Sequence, residues 1–269
     1  MRHLHLLDKN YPLNSDQISF YRNNGFIKLK NIFDAETLRF FEQSISHRVD
    51  QKSKDSIPLK KRDTYGKAFL QILNLWTEDE KIKRFVFSKR LAKIATELME
   101  VEGVRMYHDQ ALYKEGDGGF TPWHADQYYW PLSSDKTITA WIPLHKIDPE
   151  MGPLEFSAGS HKIAEGRDMA ISDESEAFMD KKLRISNFKT FVEPFDIGEV
   201  SFHSGWVFHR AGANQTNMTR KVMTIIYIDK NMRLKKPENN GQRNDWETWC
   251  PEASVGSVIN TPLNPIIYP

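Results

Sequence analysis

The chain has 269 residues, enough for one large domain or two small ones with a core of their own. Lysine and arginine total 37 against 36 acids, so no net field favours a nucleic acid as partner. The single cysteine, Cys250, excludes an internal disulfide, and no apolar run approaches the roughly eighteen residues of a membrane span, so a cytoplasmic protein without membrane contact is expected.

Ser15 or Asp16 is expected to open a short helix that Gly25 stops, with Phe26 to Leu29 following as a strand. Asp34 is the expected cap of a longer helix in which Leu38, Phe41, Ile45 and Val49 recur at helical spacing on one face. The basic stretch from Lys52 to Arg62 is broken by Asp55 and Pro58 and carries no aromatics, and it reads as a solvated loop. Ser88 caps a further helix bearing Leu91, Ile94, Ala95 and Leu98, which Gly103 is expected to end.

After Gly103 the period changes. Short runs rich in aromatic and β-branched residues follow, Val104 to Tyr113, Thr137 to Leu144, Leu154 to Ser157, Glu199 to His203 and Lys221 to Ile228, with Gly and Pro turns between them. Strands without intervening helices favour a sandwich, jelly roll or barrel over a parallel sheet. Residues 164–189 form a charged insertion, expected to be partly helical and to serve as a lid or as plain surface. From Lys235 onward an irregular tail is expected, with Trp246, Trp249 and Tyr268 packing back on the domain. The organisation expected is one domain: mostly helical support over 1–103, a β core over 104–230 and a tail over 231–269.

In W-H-A-D-Q, Trp123 to Gln127, His124 and Asp126 stand two residues apart and project to the same side of an extended chain. An H-x-D alone is weak, since about one such match arises by chance in a chain this rich in histidine and acid. His209, in G-W-V-F-H-R-A-G-A-N, supplies a distant third ligand. Two imidazoles and one carboxylate leave adjacent positions open on octahedral iron(II) for a chelating cosubstrate and O2. Zinc fits less well, because the close H-E-x-x-H pair is absent. Arg220, just before the apolar strand from Val222, offers a planar fork suited to the distal carboxylate of 2-oxoglutarate.

With these residues in place the chain resembles the phytanoyl-CoA dioxygenase family of iron(II)/2-oxoglutarate oxygenases. Motifs agree in order over most of 104–230: L-Y-K-E-G at Leu112 to Gly116, W-H-A-D-Q, T-A-W-I-P-L, M-G-P-L-E-F-S-A-G-S-H-K at Met151 to Lys162, and F-H-S-G-W-V-F-H-R-A-G-A-N followed by Arg220. The resemblance implies a double-stranded β-helix, jelly-roll or cupin-like, with an N-terminal helical layer. It implies that His124, Asp126 and His209 hold Fe(II), and that 2-oxoglutarate and O2 are consumed. Trp141 is similar to the family tryptophan lining the cosubstrate site, and Gln110 and Tyr113 lie on the strand where the family places polar groups near 2-oxoglutarate. Ala211 departs from the serine many relatives carry. Asp126 is intact where halogenating relatives have a small residue, so hydroxylation is favoured over halogenation.

Tyr128, Tyr129, Trp130 and Trp206 are candidates for the walls of a substrate chamber, and His108, His145, His161 and His203 read as structural. The expected substrate is a small molecule. The alternatives are a non-catalytic β-helix that binds a small molecule, or desaturation, ring closure or epimerisation at the same iron.

Overall fold

The computed structural model describes residues 2–269. Its N-terminal part is a layer of helices, α1 (Arg2–Asp8), α2 (Ser15–Asn24), α3 (Ala35–Lys52), α4 (Thr64–Ala68), α5 (Glu80–Val86) and α6 (Lys89–Met99), with strands β1 (Phe26–Leu29) and β2 (Leu70–Leu73) among them. Asp34 and Ser88 cap α3 and α6 as expected. α2 opens at Ser15 and is stopped by Gly25 as expected, and Asn14 caps it: the Asn14 side chain accepts from the Gln17 amide, and the Gln17 side chain accepts from the Asn14 amide in return. α6 stops at Met99, where Glu100 turns left-handed, before the expected Gly103. Gly103 instead admits close backbone, since a Cβ there would lie 2.2 Å from the Pro269 carbonyl oxygen. Most of the Lys52–Arg62 stretch is exposed as expected, but Arg62 is an exception and pairs with Glu115.

The remaining elements are β3 (Val104–Lys114), β4 (Thr121–His124), β5 (Thr137–Pro143), β6 (Leu154–Ser157), α7 (Asp173–Ile185), β7 (Thr190–Val192), β8 (Val200–Ser204), β9 (His209–Ala211), β10 (Arg220–Asp229), α8 (Asn240–Trp249) and β11 (Ile266–Tyr268). The larger sheet runs β1-β8-β5-β10-β3-β11, with β2 also paired to β3, and the smaller runs β4-β9-β6-β7. All of these pairings are antiparallel. Two antiparallel sheets under a helical layer make the double-stranded β-helix expected.

Alternation along β10 divides the interior. Met223, Ile225 and Tyr227 join Phe41, Phe85 and Leu91 beneath the helices, while Thr224 and Ile226 turn into the cavity between the sheets. Trp141, Leu154, Phe156 and Val222 bring the two sheets together in a second apolar cluster. The register of β10 on β3 slips once. Ile226 pairs with His108 but Tyr227 with Met106, so Tyr107 is the extra residue of a bulge. Gln110 and His108 face the cavity by alternation. The bulge lets Tyr107 turn away from the helices, packing with Trp130 and Ile228, before Met106 rejoins the helical side.

The insertion carries α7, which docks on β4: the Trp123 amide donates to Glu176 (2.7 Å) and Ser175 Oγ donates to the Trp123 carbonyl (3.0 Å). The expected irregular tail is corrected by α8 and β11. Asn239 caps α8 by accepting from the Gln242 amide. Trp246 and Trp249 do pack back, in a cluster with Met232, Leu234 and Cys250. Among the described residues no helix is long and apolar enough to cross a membrane.

Candidate metal and cosubstrate site

His124 closes β4 and His209 opens β9, and the two are cross-strand partners with ring centroids 4.2 Å apart. Ala125 is extended, so the Asp126 side chain returns to the same side as His124. One ligand atom from each of His124, Asp126 and His209 lies within 4.8 Å of the others. His124 Nδ1 donates to the Pro122 carbonyl (2.7 Å) and His209 Nδ1 to the Val207 carbonyl (3.1 Å). These bonds place the proton on Nδ1 and leave both Nε2 lone pairs facing Asp126 Oδ1, at 3.5 and 3.7 Å.

The other carboxylate oxygen, Oδ2, is held from behind by Thr139 Oγ1 (3.2 Å) and His203 Nε2 (3.4 Å). Burial alone would raise the Asp126 pKa, but His209, His124 and His203 outweigh it and hold the carboxyl well below its usual range. Burial, then neighbouring His124, pushes His209 well below an ordinary imidazole, which favours the neutral form that ligates. Two imidazoles and one carboxylate on one side of a cavity match the donor set of octahedral iron(II) with open positions.

The cavity holds about 580 Å³ and contains the triad, Trp141 and Arg220. Arg220 is 1% exposed, its guanidinium lies 5.4 Å from the Trp141 ring centroid, and Nη1 donates to the Gly152 carbonyl. Its Nε has no partner, and among the described residues no carboxylate pairs with it. Burial lowers its pKa to about 9, so it remains charged at neutral pH. An isolated buried cation is costly, and an anion beside it would offset that cost. Arg210 also lines the cavity but is clamped by Glu155 (both oxygens, 2.9 Å) and Glu176 (2.6 Å).

Gln110 reaches the cavity, where Gln71 donates to its oxygen (2.9 Å) and its amide nitrogen lies 3.3 Å from His108 Nδ1. Tyr113 does not. It is one residue out of phase with Leu112 and Gln110, so it falls on the helical side, its hydroxyl 2.8 Å from Ser46 Oγ. Tyr129 and Trp130 line the cavity; Tyr128 and Trp206 do not, the latter lying under Arg167 at 4.5 Å. His145 and His161 serve local structure through the Lys221 amide and the Arg22 carbonyl. His108 and His203, read as structural, both line the cavity. The alternation of β3 backward from Gln110 was the available signal for His108. Two walls had none: Tyr65, Phe69 and Gln71 around α4 and β2, and Asn244, Asp245, Thr248 and Trp249 from α8.

This fold and this His-Asp-His site define an iron(II)/2-oxoglutarate-dependent dioxygenase. The chain belongs to the phytanoyl-CoA dioxygenase family, whose model, described as Phytanoyl-CoA dioxygenase (PhyH), matches residues 21–222. It is 23% identical over 258 residues to the peroxisomal phytanoyl-CoA dioxygenase of Bos taurus, covering 88% of this chain and 74% of that protein. Among solved structures it is similar to the carbocyclase SnoK from nogalamycin biosynthesis (TM-score 0.77, 22% identity, 94% and 96% of the two chains). It is also similar to EctD from S. alaskensis with 2-oxoglutarate and 5-hydroxyectoine (TM-score 0.73, 19% identity, 95% and 90%).

Proposed function

We propose that His124, Asp126 and His209 hold Fe(II), that Arg220 binds the distal carboxylate of 2-oxoglutarate, and that the enzyme hydroxylates an unactivated C–H bond of a small organic substrate, releasing succinate and CO2. The observation carrying this reading is the unpaired, buried Arg220 guanidinium in the same cavity as the triad. Iron(II), when bound, would supply adjacent coordination positions for the 2-oxo acid and O2, with O2 as the oxidant and its four electrons drawn in equal parts from the 2-oxo acid and the substrate. The chain supplies the rest. Thr139 and His203 keep one Asp126 oxygen occupied so that the other serves as ligand. Trp141 flanks the guanidinium and shields its ion pair from water, and Gln110 offers a polar group beside that position. Tyr129 and Trp130 exclude water on the substrate side.

The test is anaerobic titration of iron(II)-loaded protein with 2-oxoglutarate, following the visible charge-transfer band of the chelate, with Arg220→Ala alongside. A band that requires iron and weakens in the variant supports the assignment. Folded, metal-loaded protein without a band returns the chain to the non-catalytic binding reading. The solved structures named as a carbocyclase and an epimerase share this fold, so product mass separates the outcomes: hydroxylation adds an oxygen atom, desaturation or ring closure removes a pair of hydrogens, and epimerisation leaves the mass unchanged.

A further inference from the structure

Along the β10–β3 ladder, Arg220 is paired with Lys114 near one end, and Ile226 is paired with His108 toward the other. Beside His108 the cavity is closed by α8, and its one carboxylate there is Asp245. Asp245 is half-buried; Oδ2 accepts from the Tyr107 hydroxyl (2.8 Å) and Oδ1 from the Trp249 indole (3.1 Å). The bulge that turns Tyr107 away from the helices makes the first of these bonds possible. Trp249 stacks on His108 at 4.7 Å and 24°, and Trp130 stands edge-on to the same imidazole.

Nothing positive meets this carboxylate. Among the described residues Asp245 has no ion pair, Arg210 is taken by Glu155 and Glu176, and Arg220 stands at the other end of the ladder. Burial, with a further push from Asp126, raises the Asp245 pKa to about 7 despite its two hydrogen bonds, the mark of a carboxylate short of a cation. His108 cannot serve, because burial drives its pKa to about 3 and keeps it neutral. A carboxylate beside indole and phenol rings is the environment that binds an ammonium group, by charge-assisted hydrogen bonds and by attraction to the ring faces.

We propose that Asp245, with Trp249, Trp130 and Tyr129, forms a subsite for a protonated amine on the substrate, which holds the C–H bond to be oxidised toward the triad. This rests on the oxygenase reading for its purpose but not for its chemistry. Among the described residues that line this wall none is a cation, so a polyanion such as an acyl thioester of coenzyme A meets only Asp245 there.

The test uses the iron(II)- and 2-oxoglutarate-loaded protein under anaerobic conditions at neutral pH, titrated calorimetrically with benzylamine, benzyl alcohol and benzoate. Benzylamine is expected to bind most tightly and benzoate least. Asp245→Asn is expected to weaken benzylamine roughly tenfold while leaving the alcohol and the charge-transfer band unchanged. Wild-type protein that binds the alcohol or benzoate as well as the amine overturns the subsite, as does a folded Asp245→Asn protein with undiminished amine affinity. If that variant does not fold, the wild-type order of the three probes decides. A missing charge-transfer band with the amine preference intact would count against the oxygenase reading alone.

Discussion

The Arg220 guanidinium lies 5.4 Å from the centre of the Trp141 ring, and no carboxylate of the described chain pairs with it. Both side chains come from the cavity face of the larger sheet, β10 and its neighbour β5. A cation packed on an aromatic plane, with one bond to a carbonyl and its Nε unpaired, is prepared for a planar anion.

Replacing Arg220 by methionine should therefore weaken 2-oxoglutarate binding by roughly a hundredfold or more, the scale for removing one partner of a buried ion pair. Lysine keeps the charge but loses the fork, and about a tenfold loss is expected. Equilibrium titration of the charge-transfer band measures both; equal affinities across arginine, lysine and methionine would remove Arg220 from the site.

Thr139 and His203 act on the metal through Asp126 Oδ2. Thr139→Val should lower iron(II) affinity by about tenfold, within the usual range for losing a hydrogen bond to a ligand, with the melting temperature of metal-free protein little changed. Metal-competition titration reads the affinity. An unaltered iron affinity would show that the carboxylate is oriented without the hydroxyl.

Lys114 is fully buried, its ammonium donates to the Gly119 carbonyl, and burial followed by the charge of Arg220 lowers its pKa to about 6. The unfolded chain keeps this proton up to about pH 10.4. Between those values the unfolded state binds more protons, so this group's contribution to stability rises with pH, and its full penalty is present below the folded pKa. Denaturant unfolding of wild type and Lys114→Met at several pH values checks this. Relative to the variant, wild type should gain about 2 kcal/mol between about pH 6 and about pH 8. A constant difference would mean that the ammonium reaches solvent.

Gly152 has φ of 68°, and a Cβ there would lie 2.1 Å from the Gly212 carbonyl oxygen, while its own carbonyl accepts from Arg220. Gly152→Ala is expected to cost about 2 kcal/mol or more in stability and to weaken 2-oxoglutarate binding together with it. Thermal unfolding and the band titration report the two effects; an alanine variant as stable as wild type would show that the turn yields.

The parts legible in the sequence are those with short-range signals. Helix faces such as Leu38, Phe41, Ile45 and Val49 are all buried, because their period is local. His124, Asp126, His209, Arg220 and Trp141 are found in one cavity, because each sits in a motif whose order could be compared. Tyr113 went astray through a single step of strand phase, which a motif match does not report. The tail could not be read as a wall: the run around Asn239 to Trp249 is polar, and only its docking on Trp130 and the Tyr128 carbonyl gives it a place. Hydrogen bonds such as Tyr107 to Asp245 join positions far apart in the chain, where no spacing rule applies.

The extra residue at Tyr107 makes β3 two strands in one. On the Lys114 side of it the pairing with β10 holds the cosubstrate end in frame. Beyond it no β3 residue lines the cavity, and the strand acts there only at second hand, through the Tyr107 hydroxyl that fixes Asp245 on α8. One strand therefore serves two ends of the cavity by two means, offering its own side chains where the ladder with β10 is regular and steadying a helix where it is not.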